Sequence, residues 1–109
     1  MTTLTAQQRQ ALLLDLLYQH LKGELSQGAL LRTLRKDLLG YSQSVYAEKV
    51  GVSRRTLSDI ERDTGNPAPA ILNKVFRPLG LRLGLTPVHP QLLDKLLEGN
   101  APPSPYEPQ

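Results

Sequence analysis

The sequence predicts an all-α fold of about six helices with one short strand near its C-terminal end. Three observations carry that expectation. Leucines recur at helical spacing through several separate segments, as in Leu30, Leu31, Leu34 and Leu38. Most of these segments open on Thr, Ser or Pro and close on Gly. Between Ser42 and Arg62 the chain reads S-Q-S-V-Y-A-E-K-V-G-V-S-R-R-T-L-S-D-I-E-R, which is two short helices joined by a tight turn.

The first helix is expected at 6–21. Thr5 and Gln8 are spaced as a capping box. Leu12, Leu13, Leu14, Leu16, Leu17 and Leu21 cover more than one stripe, so this helix needs two apolar neighbours, and either its own core or a second copy can supply the second. Gly23 ends it, Ser26 caps a second helix running to about Leu38, and Gly40 stops that one. Next comes the 42–62 motif. Ser42 is placed as the N-cap of its first helix, where Tyr46 and Val50 share a face and Ala47 is small enough for a close helix crossing. Gly51 suits the left-handed turn, and Ser53 caps the helix that starts near Arg54.

At about 100° per residue, Arg54, Arg55, Ser58, Asp59 and Arg62 fall in one arc of that helix. Thr56, Leu57, Ile60 and Glu61 occupy the other. One face packs and the other reads. Two arginines in a first turn sit against the positive end of the helix dipole, a cost that an external anion removes.

After Arg62 the run D-T-G-N-P-A-P is loop, and Pro69 opens a short helix with Ile71, Leu72, Val75 and Phe76 that Pro78 ends. Leu81, Leu83 and Leu85 alternate with Arg82 and Gly84, which predicts a strand at 81–85. Alone it cannot satisfy its hydrogen bonds, so its mate is the same strand of a second copy, or else the segment is an extended connector. A last helix is expected at 91–98, with Leu92, Leu93, Leu96 and Leu97 on its buried side. Residues 100–109, A-P-P-S-P-Y-E-P-Q preceded by Asn100, are expected to be a disordered Pro-rich tail.

Composition narrows the function. At 109 residues the chain is one small domain, taken as 1–99 plus the tail. There is no cysteine, hence no disulfide or thiolate metal site. No apolar run reaches the ~20 residues of a membrane span, and the N-terminus does not read as a signal segment. Both point to the cytoplasm. The net charge of +3 is modest, yet Arg32, Arg35, Lys36, Lys49, Arg54, Arg55 and Arg62 all gather in or beside the motif. His20 and His89 are isolated, no metal-ligand spacing occurs and no nucleophile elbow is present, so neither an enzyme nor a cofactor is expected.

Gln43, Ala47, Gly51, Leu57 and Ile60 stand where the XRE regulators, the family of phage Cro and CI repressors, place their leading glutamine, small residue, turn glycine and core apolars. The resemblance spans roughly Leu30 to Leu85. It implies a lambda-repressor-like helix-turn-helix domain, a phosphate contact from Gln43, and base contacts from Arg54 and Arg55. An arginine there can hold guanine O6 and N7 or grip phosphate. Asp59 either accepts from a cytosine amino group or pairs with Arg55. Ser58 suits base or backbone, Arg62 suits phosphate, and Lys49 and Ser53 are further positioning candidates.

Arg35 resembles the family arginine that pairs with a carboxylate like Glu61. The Arg35 to Gln43 interval is one residue longer than usual, so Lys36 is a second candidate and an unpaired surface role for Arg35 a third. Taken together, the resemblance implies a sequence-specific, homodimeric transcriptional regulator, repressor before activator. It would act in the bacterial cytoplasm, nucleoid-associated when bound, on double-stranded DNA with an inverted-repeat operator. The strand resembles the HipB-like antitoxins, which implies the alternative of an antitoxin that regulates its own operon and neutralises a kinase-like toxin.

Overall fold

Short polar side chains start four of the helices. In the computed structural model, which describes residues 4–99, Thr5 Oγ1 accepts from Gln8 N at 3.1 Å while Gln8 Oε1 accepts from Thr5 N at 2.9 Å, opening α1 (Ala6–Leu21). Ser26, Ser42 and Ser53 accept in the same way from the third residue on, at 3.1, 3.2 and 3.0 Å. They open α2 (Gln27–Thr33), α3 (Gln43–Val50) and α4 (Arg54–Glu61). Each bond satisfies a backbone donor that the helix itself leaves free. Pro69 and Pro90 stand at the first positions of α5 (Pro69–Phe76) and α6 (Pro90–Glu98), where a missing N–H costs nothing.

The core gathers Leu30, Leu31 and Leu34 from the second segment, Tyr46, Ala47 and Val50 from α3, Leu57 and Ile60 from α4, and Val75, Phe76 and Leu79 from the fifth. Helix α1 packs on α2 and the turn that follows it. Leu16 is buried, Leu12, Leu13 and Leu17 are partly so, and Leu14 faces outward. Tyr46 spans the interior. Its hydroxyl donates to the Val75 carbonyl at 2.6 Å, tying α3 to the end of α5, and burial pushes its pKa up to about 12. The phenol is thereby held as a neutral donor.

Helices α2 and α4 cross at a point only glycine can occupy. A Cβ on Gly28 would fall against the Ile60 carbonyl and lie 2.6 Å from that of Glu61. The crossing is latched by Asp63, just past α4. Its carboxylate accepts from Gly28 N at 2.8 Å and from Ser26 Oγ at 2.6 Å, while its own backbone takes a left-handed φ of 57°.

Two expectations are corrected. Among the described residues no strand forms, and 81–85 runs as an unpaired segment beside α1. No other strand lies among the described residues, so none of them offers a second edge to build a ladder. Leu83 N instead donates to the Asn73 side chain at 2.8 Å, and Leu85 is fully exposed. Second, α6 buries Leu93 but leaves Leu92, Leu96 and Leu97 at 50%, 60% and 56% exposure. The helix is held at its edge by Asp94, which pairs with Lys22 at 2.7 Å and accepts from the Tyr18 hydroxyl at 3.3 Å. That single line of contact cannot cover four leucines. The pair raises the Lys22 pKa through the hydrogen bond to Asp94 and lowers that of Asp94 through the same bond. The expected tail at 100–109 lies outside the described residues.

Candidate nucleic-acid interface

The α3–α4 pair meets at Gly51, whose φ of 75° makes the left-handed turn between the helices. The Lys74 ammonium donates to the Gly51 carbonyl at 3.1 Å and so clamps this corner to α5. Beyond the turn, α4 is sharply two-sided. Leu57, Ile60 and Glu61 are buried, whereas Arg54, Arg55 and Arg62 are exposed.

Gln43, Arg54, Arg55, Ser58 and Arg62 line one open concavity between the start of α3 and the outer face of α4. Among the described residues Arg54 and Arg55 have no hydrogen-bond, ion-pair or ring partner, and α4 carries no acidic residue in its first turn. Two unpaired guanidinium groups therefore stand at the positive end of a helix, where only an external anion or acceptor neutralises them. Arg62 is different, since its Nη2 lies 2.8 Å from Asp59 Oδ1. The intrachain partner of Asp59 is therefore Arg62, and the expected pairing with Arg55 does not form.

Under the concavity lies a buried network. Arg35 donates from Nε to Glu61 Oε2 at 2.6 Å and from Nη2 to Oε1 at 2.8 Å, and its Nη1 reaches the Tyr41 carbonyl at 2.7 Å. Gln43 Nε2 donates to the same Oε1 at 3.0 Å. The carboxylate at the back of α4 thus holds the side chain at the head of α3, and both are fixed to the second segment through a fork whose planar geometry matches the carboxylate. The partner of Glu61 is Arg35, and Lys36 stays exposed.

The backbone explains how the longer interval is absorbed. Leu34–Leu38 forms a π turn in which Leu39 N bonds to Leu34 O at 3.1 Å. A π turn takes up one residue more than an α turn. Arg35 therefore keeps its reach to Glu61 and Gln43 keeps its place at the start of α3.

Three expected site residues do not line the concavity: Asp59, which pairs with Arg62, and two more that are engaged elsewhere. Lys49 sits at the far end of α3, 5.1 Å above the Tyr41 ring, in a recess it shares with Lys74 and Arg77 rather than in the concavity. Ser53 spends its hydroxyl on Thr56, accepting from the backbone N–H and donating to Oγ1 at 2.8 Å. Sequence reading missed Gly28 and Asp63, which set the crossing of α4 on α2, because the two are 35 residues apart and neither belongs to a local motif. His20 Nδ1 lies 2.9 Å from the Leu25 carbonyl oxygen, which accepts, and among the described residues no group of three or more His, Asp or Glu is placed to hold a metal. No helix among them is long and apolar enough to cross a membrane.

The Helix-turn-helix family model HTH_3 matches residues 31–86, just over half of the chain. The chain belongs to the XRE-type helix-turn-helix family. This is a family of DNA-binding transcription regulators, and the match covers the π turn, both motif helices, Asp63 and α5 while leaving α1, α6 and the Ser26–Gly28 side of the latch outside it. No curated protein and no solved structure matches the chain.

Proposed function

We propose that the protein is a sequence-specific transcriptional repressor that binds as a homodimer and inserts the N-terminal half of α4 into the DNA major groove. The observation that carries this reading is the concavity itself. It joins the unpaired Arg54 and Arg55 to Gln43 on the motif that gives the family its DNA-binding role. Arg54 and Arg55 supply base contacts, Gln43 and Arg62 supply phosphate contacts, and Ser58 is small enough to let the groove floor approach. Asp59 joins the contact surface once Arg62 turns to phosphate. Lys49 and Ser53 act at a distance, as a contributor to the positive field and as the cap of α4.

The double change Arg54→Ala/Arg55→Ala tests this in a gel-shift titration at fixed salt on a duplex selected from random sequence. A bidentate base contact is worth ~1–3 kcal/mol and the phosphate attraction adds to it, so specific binding should vanish with the helical circular dichroism unchanged. Unaltered affinity would remove α4 from the interface.

The homodimer is supported by apolar surface that a lone chain leaves in water: Leu14 on α1, Leu85 and Val88 in the extended segment, and Leu92, Leu96 and Leu97 on α6. Two copies would set their α4 helices about one turn, ~34 Å, apart on an inverted repeat. Leu96→Glu/Leu97→Glu should move the chain to monomer in light scattering and weaken operator binding. The same apolar surface favours a second reading, an antitoxin that also holds a kinase-like toxin. Its test is whether such a protein copurifies with the wild type and is lost from the Leu96→Glu/Leu97→Glu variant.

A further inference from the structure

We infer that the operator half-site is built on G·C pairs, with guanine presented to Arg54 or Arg55 and with no bidentate reading of adenine. The inference rests on the DNA-binding reading above and concerns which bases that same face accepts.

The side chains on the face divide by what they can still offer. Arg54 and Arg55 are exposed and unpaired, and a guanidinium is all donors. In the major groove only guanine shows two acceptors side by side, O6 and N7. Adenine sets a donor beside its acceptor, cytosine offers a donor, and thymine pairs one acceptor with a methyl. Adenine is read best by an amide, which matches its donor and its acceptor together. Helix α4, R-R-T-L-S-D-I-E, contains no amide side chain. The one amide in the concavity, Gln43, already donates to Glu61 Oε1 at 3.0 Å. Turning it to meet adenine would take a hydrogen bond away from a buried carboxylate. Thymine methyls call for an apolar contact, and the apolar residues of α4, Leu57 and Ile60, face the core. Val45 is exposed on α3 but does not line the concavity.

The remaining charged group on the face favours the same base pair. Asp59 does not itself line the concavity, but it is an acceptor held at 2.8 Å by Arg62, which does. When Arg62 shifts to phosphate, the carboxylate meets the groove with only acceptor capacity. The cytosine amino group complements it without the neighbouring N7 acceptor that adenine would bring against it. Donors at the head of the helix and an acceptor one turn on therefore converge on guanine and cytosine. The hydroxyl of Ser58 bonds either kind of group and does not discriminate.

The experiment is selection of bound duplexes from a random pool by the full chain at fixed salt. It is followed by titration of the enriched duplex carrying 7-deazaguanine at each enriched guanine in turn. That analogue keeps the Watson–Crick pair and removes the N7 acceptor. The expected result is a half-site with at least one enriched guanine whose replacement weakens wild-type binding about 5- to 100-fold, in line with the worth of a bidentate contact. Arg54→Ala or Arg55→Ala, whichever lacks the contacting side chain, should no longer distinguish the two duplexes. An enriched site of A·T pairs alone, or enriched guanines indifferent to the analogue in wild type, overturns the base assignment while leaving DNA binding in place. Enrichment of no sequence at all overturns the base assignment together with the reading on which it rests.

Discussion

Replacing Arg35 by methionine isolates the buried network that holds α4 and Gln43. The two side chains of the ion pair are 6% and 1% exposed. Loss of the guanidinium strips Glu61 of both close donors and the Tyr41 carbonyl of its partner, leaving the carboxylate with Gln43 alone. Leaving one partner of a buried pair uncompensated costs ~3–5 kcal/mol. In a domain of this size each kcal/mol moves the midpoint by about 4–8 °C, so Tm should fall by about 12–40 °C. Glu61→Met should cost a similar amount by stranding the arginine. The double variant Arg35→Met/Glu61→Met removes both charges and fills the space with apolar atoms. Its cost should be smaller than either single change, because well-packed apolar replacements of buried pairs are often neutral. Urea unfolding followed by far-ultraviolet circular dichroism, with m-values checked for constancy, measures all three. Operator affinity supplies a second readout, since Gln43 loses its anchor in the double variant as well. Stability should recover there while binding stays weakened. Single variants that lose under ~1 kcal/mol, or a double variant whose loss equals the sum of the singles, would show that the pair is not electrostatically coupled, contrary to its geometry.

Three further perturbations probe the scaffold. Gly28→Ala forces a methyl against the Ile60 and Glu61 carbonyls, and the displacement of α4 from α2 should cost ~1–3 kcal/mol in chemical denaturation, with wild-type stability refuting the close crossing. Gly51→Val places a β-branched residue at φ 75°, with Lys74 atoms 3.2 Å from the new Cβ, and should cost at least ~1–2 kcal/mol in the same assay. Tyr46 governs alkaline stability. With a folded pKa near 12 against 10.0 for the free side chain, the neutral phenol favours the fold fully below pH 10, and that contribution is lost as pH climbs from 10 to about 12. Tyr46→Phe should lower stability by ~1–3 kcal/mol at neutral pH, because the buried Val75 carbonyl loses its donor, and should flatten that alkaline decline. An unchanged alkaline slope in the variant would assign the decline to other groups.

Much of the site was legible in the sequence because its signals act over three or four residues. Ser53 to Thr56 and the turn glycine Gly51 place α4, and the helical period then puts Arg54, Arg55, Ser58 and Arg62 on its outer arc. The same local logic marked the start of α1 at Thr5 and of α3 at Ser42. It failed for Lys49, since charge and nearness in sequence do not say on which end of a helix pair a side chain emerges. The expected strand had the right alternation, but alternation describes side chains, and a strand also needs a neighbouring backbone edge.

What the sequence alone determined is therefore the set of helices, their caps and the split of α4 into a packing face and an exposed face, because capping bonds and helical periodicity are complete within one segment. Only the tertiary structure decided that Arg35 rather than Lys36 holds Glu61, that a π turn absorbs the extra residue before Gln43, and that Asp63 latches α2 at Gly28. It also decided that three leucines of α6 stay in water. Each of these depends on how distant helices cross and on which groups water can still reach, and those quantities exist only once the segments have packed.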